Sequence, residues 1–553
     1  MMGGLSLWTP VQAQSADTLR MLYWQAPTIL NPHLSTGTKD FEASRITYEP
    51  LASFDRSGTL IPILAAEAPT VENGGISSDY KTVTWKLKPD VKWSDGQPFT
   101  ADDVVFTYTF ITDPESAAVT TSSYEGIASV EAVDPTTVKI TFKEPTAAWA
   151  SPFVGINGQI LPKHIFEPFL GAKSREAPAN LAPIGTGPFK LVEFKPGDVA
   201  VYEANPNFRE PGKPYFKRLE LKGGGDATSA ARAVLQTGDA DYAWNVQVEA
   251  SVLGQMEAAG MGYVYPKPGP DVERIMFQFA DPNQEVDGER AHKSTKHPFF
   301  SDLKVRQAFN LAMDRDTIAN QLYGKAGQAT ANFLAAPENV ASKNTAYEYN
   351  LEKAAALLDE AGWKDTNNNK VRDKDGVEMK VLFQTSVNPL RQKTQEIIKQ
   401  SLGQIGVEVE LKSTDASIYF DSEPANNDNT GHFYADLQMF TTGNENPDPG
   451  RSYMDLYSCD AIAQKENNWS VNNVSRYCNP EYDKLMNAGL AELDPAKRAA
   501  AFIAMNDFLI NDVAVMPLVN RASPSAVSNR LQDVLTTPWD LEPWMIKEWK
   551  PKA

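Results

Sequence analysis

Residues 363–376, WKDTNNNKVRDKDG, carry oxygen-bearing side chains at alternate positions: Asp365, Asn367 and Asn369, then Asp373 beyond the backbone carbonyl of Val371. An EF-hand-type loop presents oxygens to a hard cation such as calcium in that order. Two positions depart from it. Lys370 stands where such a loop turns on glycine, and Gly376 stands where a bidentate glutamate would close the coordination shell. The spacing leaves two readings open: a weak structural calcium site, with affinity on the order of 10⁻⁴–10⁻³ M, or a polar hairpin without metal. The sequence requires no cofactor.

Other catalytic patterns are missing from the chain. It has no HExxH, no G-x-S-x-G elbow and no phosphate loop, and its five histidines are scattered. Gly185 and Gly187 in GTGPF precede a strand, whereas a phosphate loop opens a helix. Carboxylates are numerous but show no pairing that would mark a general acid and base. These absences argue against an enzyme. The only cysteines, Cys459 and Cys478, are separated by one loop, and in an exported chain they read as a disulfide.

The elements that would position such residues follow from periodicity. In KTVTWKLKPDVKW, Val83, Trp85 and Leu87 share one face of a strand while Lys86 and Lys88 share the other. Thr100 and Asp103 have capping-box spacing ahead of a helical stripe through Val104, Tyr108 and Ile111. SVEAVDPTTVKITF predicts two strands joined at Asp134–Pro135, and ATSAARAVLQTGDADYAW a small helix. Residues 281–300 are polar and unpatterned, as in a surface loop or a domain boundary. Beyond them, Val305, Phe309, Ala312, Met313, Ile318 and Leu322 define a long helical period. A helix ending at Gly362, the strand MKVLFQTS and the helix–strand pair TQEIIKQSLGQIGVEVELKS then give the rhythm of an α/β sheet. A helix near 496–511 and the buried strand VAVMPLV complete the pattern.

The 553 residues suffice for about three domains. A hydrophobic content of 42% excludes global disorder, and no apolar run reaches the ~18 residues of a membrane span. With a net charge of −19 and no basic cluster, nucleic acid and anionic lipid are poor partners. The start of the chain has a short apolar piece and small-residue cleavage patterns around Ala13, so residues 1–15 read as a signal-peptide remnant. No cysteine lies near it to carry a lipid, which predicts a soluble, exported, periplasmic protein.

Five segments, VTWKLKPDVKWSDGQPFTADDVVFTYTF, LAPIGTGPFKL, FFSDLKVRQAFNLAMDRDTIANQLY, AALLDEAGWKDTNNNKVRDKDG and YCNPEYDKLMNAG, occur in this order. Together they resemble the extracellular solute-binding proteins of the peptide/oligopeptide/nickel class, the receptors of ABC importers, over residues ~20–545. The resemblance implies an α/β, two-lobed periplasmic-binding-protein fold with an extra domain. Its discontinuous lobes would be joined by two hinges: residues 16–55, 185–280 and 520–553 in lobe one, 56–184 in domain II, and 281–519 in lobe two. The implied function is capture of a peptide or peptide-like solute between the lobes by a monomeric receptor, for delivery to the permease. The same role for an oligosaccharide, opine or other small organic solute is the alternative. A secreted hydrolase and a calcium-dependent adhesion protein are further ones.

The resemblance also implies where ligand contacts fall. Tyr23, Trp24 and Gln25 end the first strand at the family's cleft, Trp244 and Asn245 follow a family block, and residues 441–451 form the ligand-facing loop with Thr442 and Gly443. Peptide-binding members place there an aspartate that pairs with the ligand's α-ammonium. This chain has the neutral Asn444 at that place. Glu445 or Asp448 could supply the charge after a register shift, and Arg451 could pair with a ligand carboxylate.

Overall fold

The computed structural model describes residues 17–35, 37–267, 269–420, 424–444, 446–469 and 471–552. The expected signal-peptide remnant at 1–15 and Glu445 lie outside them. Among the described residues the chain builds two large sheets, a three-stranded sheet and four two-stranded ribbons. The first sheet runs, edge to edge, Gly262–Lys267, Ser523–Ser528, Tyr242–Ala243, Thr18–Tyr23, Arg218–Gly223, Val199–Ala204 and Phe189–Lys195. Thr18–Tyr23 pairs in parallel with both of its neighbours. The second sheet runs Gly327–Ala329, Val515–Arg521, Val272–Phe277, Leu437–Thr442, Lys380–Ser386 and Glu408–Thr414.

Chain segments far apart in sequence therefore build each lobe. The expected boundary at 280 assigns Val272–Phe277 to lobe one, but this strand hydrogen-bonds to Leu437–Thr442 and Val515–Arg521 in the second sheet. Among the described residues the chain accordingly passes between the sheets at 269–271 and at Ala522. Two short crossings are what a hinged pair of lobes requires. No helix among the described residues is long and apolar enough to cross a membrane.

Both faces of the second sheet are covered. On one face Ile275, Phe277, Phe383 and Met439 join Val305, Phe309, Leu358 and Ile398 from the helices Leu303–Leu311, Leu351–Glu360 and Pro389–Gln404. On the other, Met276 joins Tyr453, Tyr457, Met486, Phe502 and Met505. Each such large side chain taken from water contributes about 1.5–3 kcal/mol. The expected long helix beyond residue 303 breaks after Leu311, because Asp314 caps a new turn by accepting from Thr317 N at 3.1 Å.

A third core belongs to the strands Thr82–Lys86, Ile127–Asp134 and Thr137–Phe142 with the helix Ala101–Thr112. Asp103 accepts from Thr100 N at 2.9 Å, as the capping-box spacing predicts, and also from Lys163 N at 2.9 Å. GTGPF acquires a physical reason here. A Cβ on Gly185 would stand 1.9 Å from the Thr47 carbonyl oxygen, so only glycine admits this approach between two chain segments. Residues 281–300 are tied down as well: a short ribbon forms from Glu285–Val286 and Glu289–Arg290, and buried His297 is 2.9 Å from Asp436 Oδ1.

Cys459 and Cys478 form the expected disulfide. The 363–376 segment links the helix ending near Gly362 to the strand Lys380–Ser386, through a ribbon of Asp373–Lys374 and Val377–Glu378. Its oxygens hold its own backbone. Asp365 accepts from Asn369 N and Lys370 N at 3.1 and 3.0 Å, Asn367 from Asn369 N at 3.0 Å, and Asn369 from Val371 N at 2.8 Å. Asp373 accepts from Thr366 N and Oγ1 at 2.9 and 2.6 Å. Lys370 adopts φ +72°, the conformation for which such loops use glycine. These bonds tie the side-chain oxygens to the hairpin's own backbone, and among the described residues no group of three or more His, Cys, Asp or Glu side chains could hold a metal ion.

Candidate functional site

The ends of both sheets that face each other are polar where they meet. The strand Tyr242–Ala243 runs out into Trp244 and Asn245, and Asn245 takes φ +50°. Its carbonyl accepts from Trp24 Nε1 at 2.9 Å, and its Oδ1 accepts from Gln247 Nε2 at 3.0 Å. Gln247 Oε1 in turn accepts from Asn388 Nδ2 of lobe two. Asn388 caps the helix Pro389–Gln404 through Leu390 N and Arg391 N at 3.0 and 3.2 Å. This chain of amides, buried at both Gln247 and Asn388, joins the lobes beside the aromatic cluster. The Lys393–Glu249 ion pair at 2.7 Å lies on the same edge.

Arg391 carries the connection into the second sheet. Its Nε and Nη2 donate to Glu273 at 2.9 and 3.4 Å, and Thr441 Oγ1 donates to the same carboxylate at 2.6 Å. Burial alone would raise Glu273, but Arg391, with Arg521 behind it, holds the carboxyl below its ordinary range. The strand Leu437–Thr442 then leads into the loop 443–451. Gly443 has no room for a side chain, since a Cβ would lie 2.7 Å from the Pro270 carbonyl carbon.

That loop approaches domain II. A Cβ on Gly58 would lie 3.4 Å from Pro447 Cγ, and one on Gly155 3.9 Å from Asn446 Oδ1. The helix Gly450–Met454 lies against Thr121–Tyr124. Burial pushes Asp455 up to about 6 despite Arg451, and the negative charge of Glu125 in domain II adds to the rise.

The residues expected to face ligand divide into several groups. Tyr23 is fully buried, stacks on Trp244 with centroids 5.1 Å apart and donates to Glu42 at 3.3 Å, so it belongs to the lobe-one core. Trp24 and Gln25 are partly exposed, and Trp24 stacks on Trp244 at 6.5 Å. Thr442 is half-buried; Asn444 is 1% exposed and donates to Asn446 O at 2.8 Å, leaving its Oδ1 without a partner. Asp448 is committed to Arg498 through two bonds of 2.5 and 2.8 Å. Arg451 is exposed and reaches Asp455 and Asn487 at 3.4 and 3.1 Å.

Gln247, Asn388, Glu273, Arg391 and Arg274 are absent from the sequence expectation. VERIMF carried a signal for two of them: adjacent charges in a strand cannot share a face, so in a strand covered on both sides both must be buried. A carboxylate pair does exist, Glu42 with Glu542, but at 2% and 1% exposure it lies in the lobe-one core. Glu42 Oε2 accepts from Glu542 N at 3.0 Å, and Tyr242 donates to Glu542. Burial raises both carboxyls, and the pair faces the lobe-one core and not solvent.

Two discontinuous α/β lobes joined by two crossings, with polar and aromatic side chains at the facing ends, define a solute-binding protein of the periplasmic type. The chain belongs to the bacterial extracellular solute-binding proteins, family 5, whose model matches residues 59–464. It is a binding protein and not an enzyme. It is 29% identical over 477 residues to a putative ABC transporter peptide-binding protein of Brucella ovis, covering 85% of this chain and 81% of that one. It is 30% identical over 402 residues to the oligopeptide-binding protein AppA of Bacillus subtilis, covering 70% and 67%. The AppA structure with a nonapeptide superposes with a TM-score of 0.79 at 25% identity, over 97% of this chain and 99% of that one. The NikZ structure from Campylobacter jejuni with Ni(L-His) gives 0.79 at 24%, with the same coverage.

Proposed function

We propose that this protein is the periplasmic receptor of an ABC importer, trapping a peptide or peptide-like solute between its lobes and presenting it to the membrane permease. The observation that carries the reading is the buried Gln247–Asn388 contact across the lobes, linked through Asn245 to the Trp24–Trp244 cluster. A ligand that touches both lobes favours the closed arrangement by its differential affinity, which is the signal a permease can read. The protein works as a monomer, and its solute is desolvated by aromatic walls and matched by amides. The names of the relatives support peptides as the first ligand class to test.

One observation favours a narrower ligand. Asn444 is neutral and Asp448 is neutralised by Arg498, so the described part of the loop offers no free carboxylate to a ligand ammonium. Burying an unpaired ammonium is costly, which favours peptide-like solutes without a free N-terminus. Native mass spectrometry of the protein taken from its own periplasm without refolding tests this. A ladder of bound peptides supports the peptide reading; one non-peptide mass overturns it and leaves the receptor role with another solute.

A further inference from the structure

Three buried arginines turn the Nε–Nη2 edge of the guanidinium onto a carboxylate. Arg45 does so on Asp540 at 3.2 and 3.1 Å, Arg391 on Glu273 at 2.9 and 3.4 Å, and Arg498 on Asp448 at 2.5 and 2.8 Å. Arg274 differs from these three, as does Arg476, whose Nε and Nη2 also lack partners but whose Nη1 donates to the Gly431 and Val474 carbonyls. Arg274 is 0% exposed, yet its Nε and Nη2 have no hydrogen-bond partner. Nη1 alone makes a long contact, 3.5 Å to the Thr442 carbonyl. The Phe440 ring lies 5.4 Å from the guanidinium carbon and offsets only part of the desolvation cost.

The position of Arg274 is informative. It lies two residues into Val272–Phe277, directly opposite Phe440, while Val272 stands opposite Thr442. This is the end of the sheet where Ser386 leads to Asn388 and the lobe-one contact. Tyr457, whose hydroxyl is also buried without a partner, lies within range of the Arg274 charge. Two residues past Thr442, Asn444 Oδ1 is a fourth buried atom without a partner. Nε–H and Nη2–H of one guanidinium are parallel donors spaced for the two oxygens of a carboxylate.

We infer that Arg274 is the anchor for a carboxylate of the transported solute, held side-on by Nε and Nη2 with the Tyr457 hydroxyl beside it. This rests on the receptor reading above and deepens it: the solute is acidic at the end that enters lobe two. A neutral Asn444 then fits, because a receptor selecting an anionic solute gains nothing from another negative charge at that loop. Arg274 is a specificity determinant as well, since an amide or an uncharged solute would leave its fork unpaired.

The test is a thermal-shift and calorimetric panel on the ligand-stripped full chain, wild type and Arg274→Met. The probes are an equimolar N-acetylated tripeptide library as free acids, the same library as C-terminal amides, a pool of non-peptide mono- and dicarboxylates, and inorganic phosphate. Free acids are expected to stabilise the wild type and amides not. Arg274→Met is expected to lose at least tenfold in affinity while its ligand-free melting temperature stays level or rises, because an unpaired buried charge has been removed. If only the non-peptide carboxylates bind and Arg274→Met loses them, the anchor stands and the peptide reading falls. Equal response to acids and amides, or full binding by Arg274→Met, overturns the anchor and leaves the peptide reading standing. Binding of phosphate alone, or of no probe, also overturns it. Should Arg274→Met fail to fold, Arg274→Lys keeps the charge but not the fork; roughly tenfold weaker carboxylate binding supports the assignment, and unchanged binding refutes it.

Discussion

Replacing Gln247 by alanine removes a buried amide that spans the lobes without touching either core. Gln247 is 9% exposed and Asn388 6%, so their hydrogen bond is shielded from water when the lobes are together. Its net worth is ~1 kcal/mol, and an Asn388 amide left unsatisfied in the closed state adds a further ~1 kcal/mol at most if water partly replaces the lost partner. In the open state both groups are solvated, so the loss of about 1–2 kcal/mol falls on closure alone. Closure becomes roughly 5- to 30-fold less favourable, and solute affinity falls by the same factor, because the closed form is the binding-competent one. Global stability changes little: Asn388 keeps its role as helix cap through Oδ1. Single-molecule energy transfer between dyes at the exposed positions 192 and 377, one in each lobe, reads the populations, and calorimetry with the copurifying solute reads the affinity. Lys393→Ala is the control. Its ion pair with Glu249 is half-exposed and predicts less than about a fivefold change. Unchanged closure and affinity in Gln247→Ala would refute the view that this contact holds the lobes together.

Other expectations concern the scaffold. Burial raises the carboxyls of Glu42 and Glu542, so the folded state binds protons that the unfolded chain releases at a lower pH. Stability therefore falls as pH rises from about 5 to about 8, by roughly 1–3 kcal/mol, and Glu42→Gln flattens that slope in urea melts. Opening the Cys459–Cys478 loop with a double serine variant costs about 3 kcal/mol in the chain-entropy account, measured by the same melts. Millimolar calcium leaves the melting temperature unchanged, because the oxygens of 365–373 already serve backbone N–H groups. A rise of several degrees would support the calcium reading instead.

Much of the fold could be read from local pattern, and much of the binding site could not. Val83, Trp85 and Leu87 alternate as a half-buried strand must, and the Thr100–Asp103 cap starts its helix where its spacing predicts. The cysteines pair because one loop brings them together. Contacts across the lobes have no local signature. Gln247 and Asn388 are 141 residues apart and meet only through the order of strands in two sheets. Asp448 reads as a free acid in the sequence, yet Arg498, fifty residues on, neutralises it. Arg274 hides in an apolar strand for the same reason: only sheet pairing reveals that both faces of VERIMF are covered.

The central claim is that two lobes close on a solute, and small-angle X-ray scattering tests it most directly. A compact chain of this length has a radius of gyration of about 24 Å. The ligand-stripped protein should lie above the value calculated from this structure and fall to it when the copurifying solute is returned at saturation. A radius that does not change at saturating solute would contradict the account.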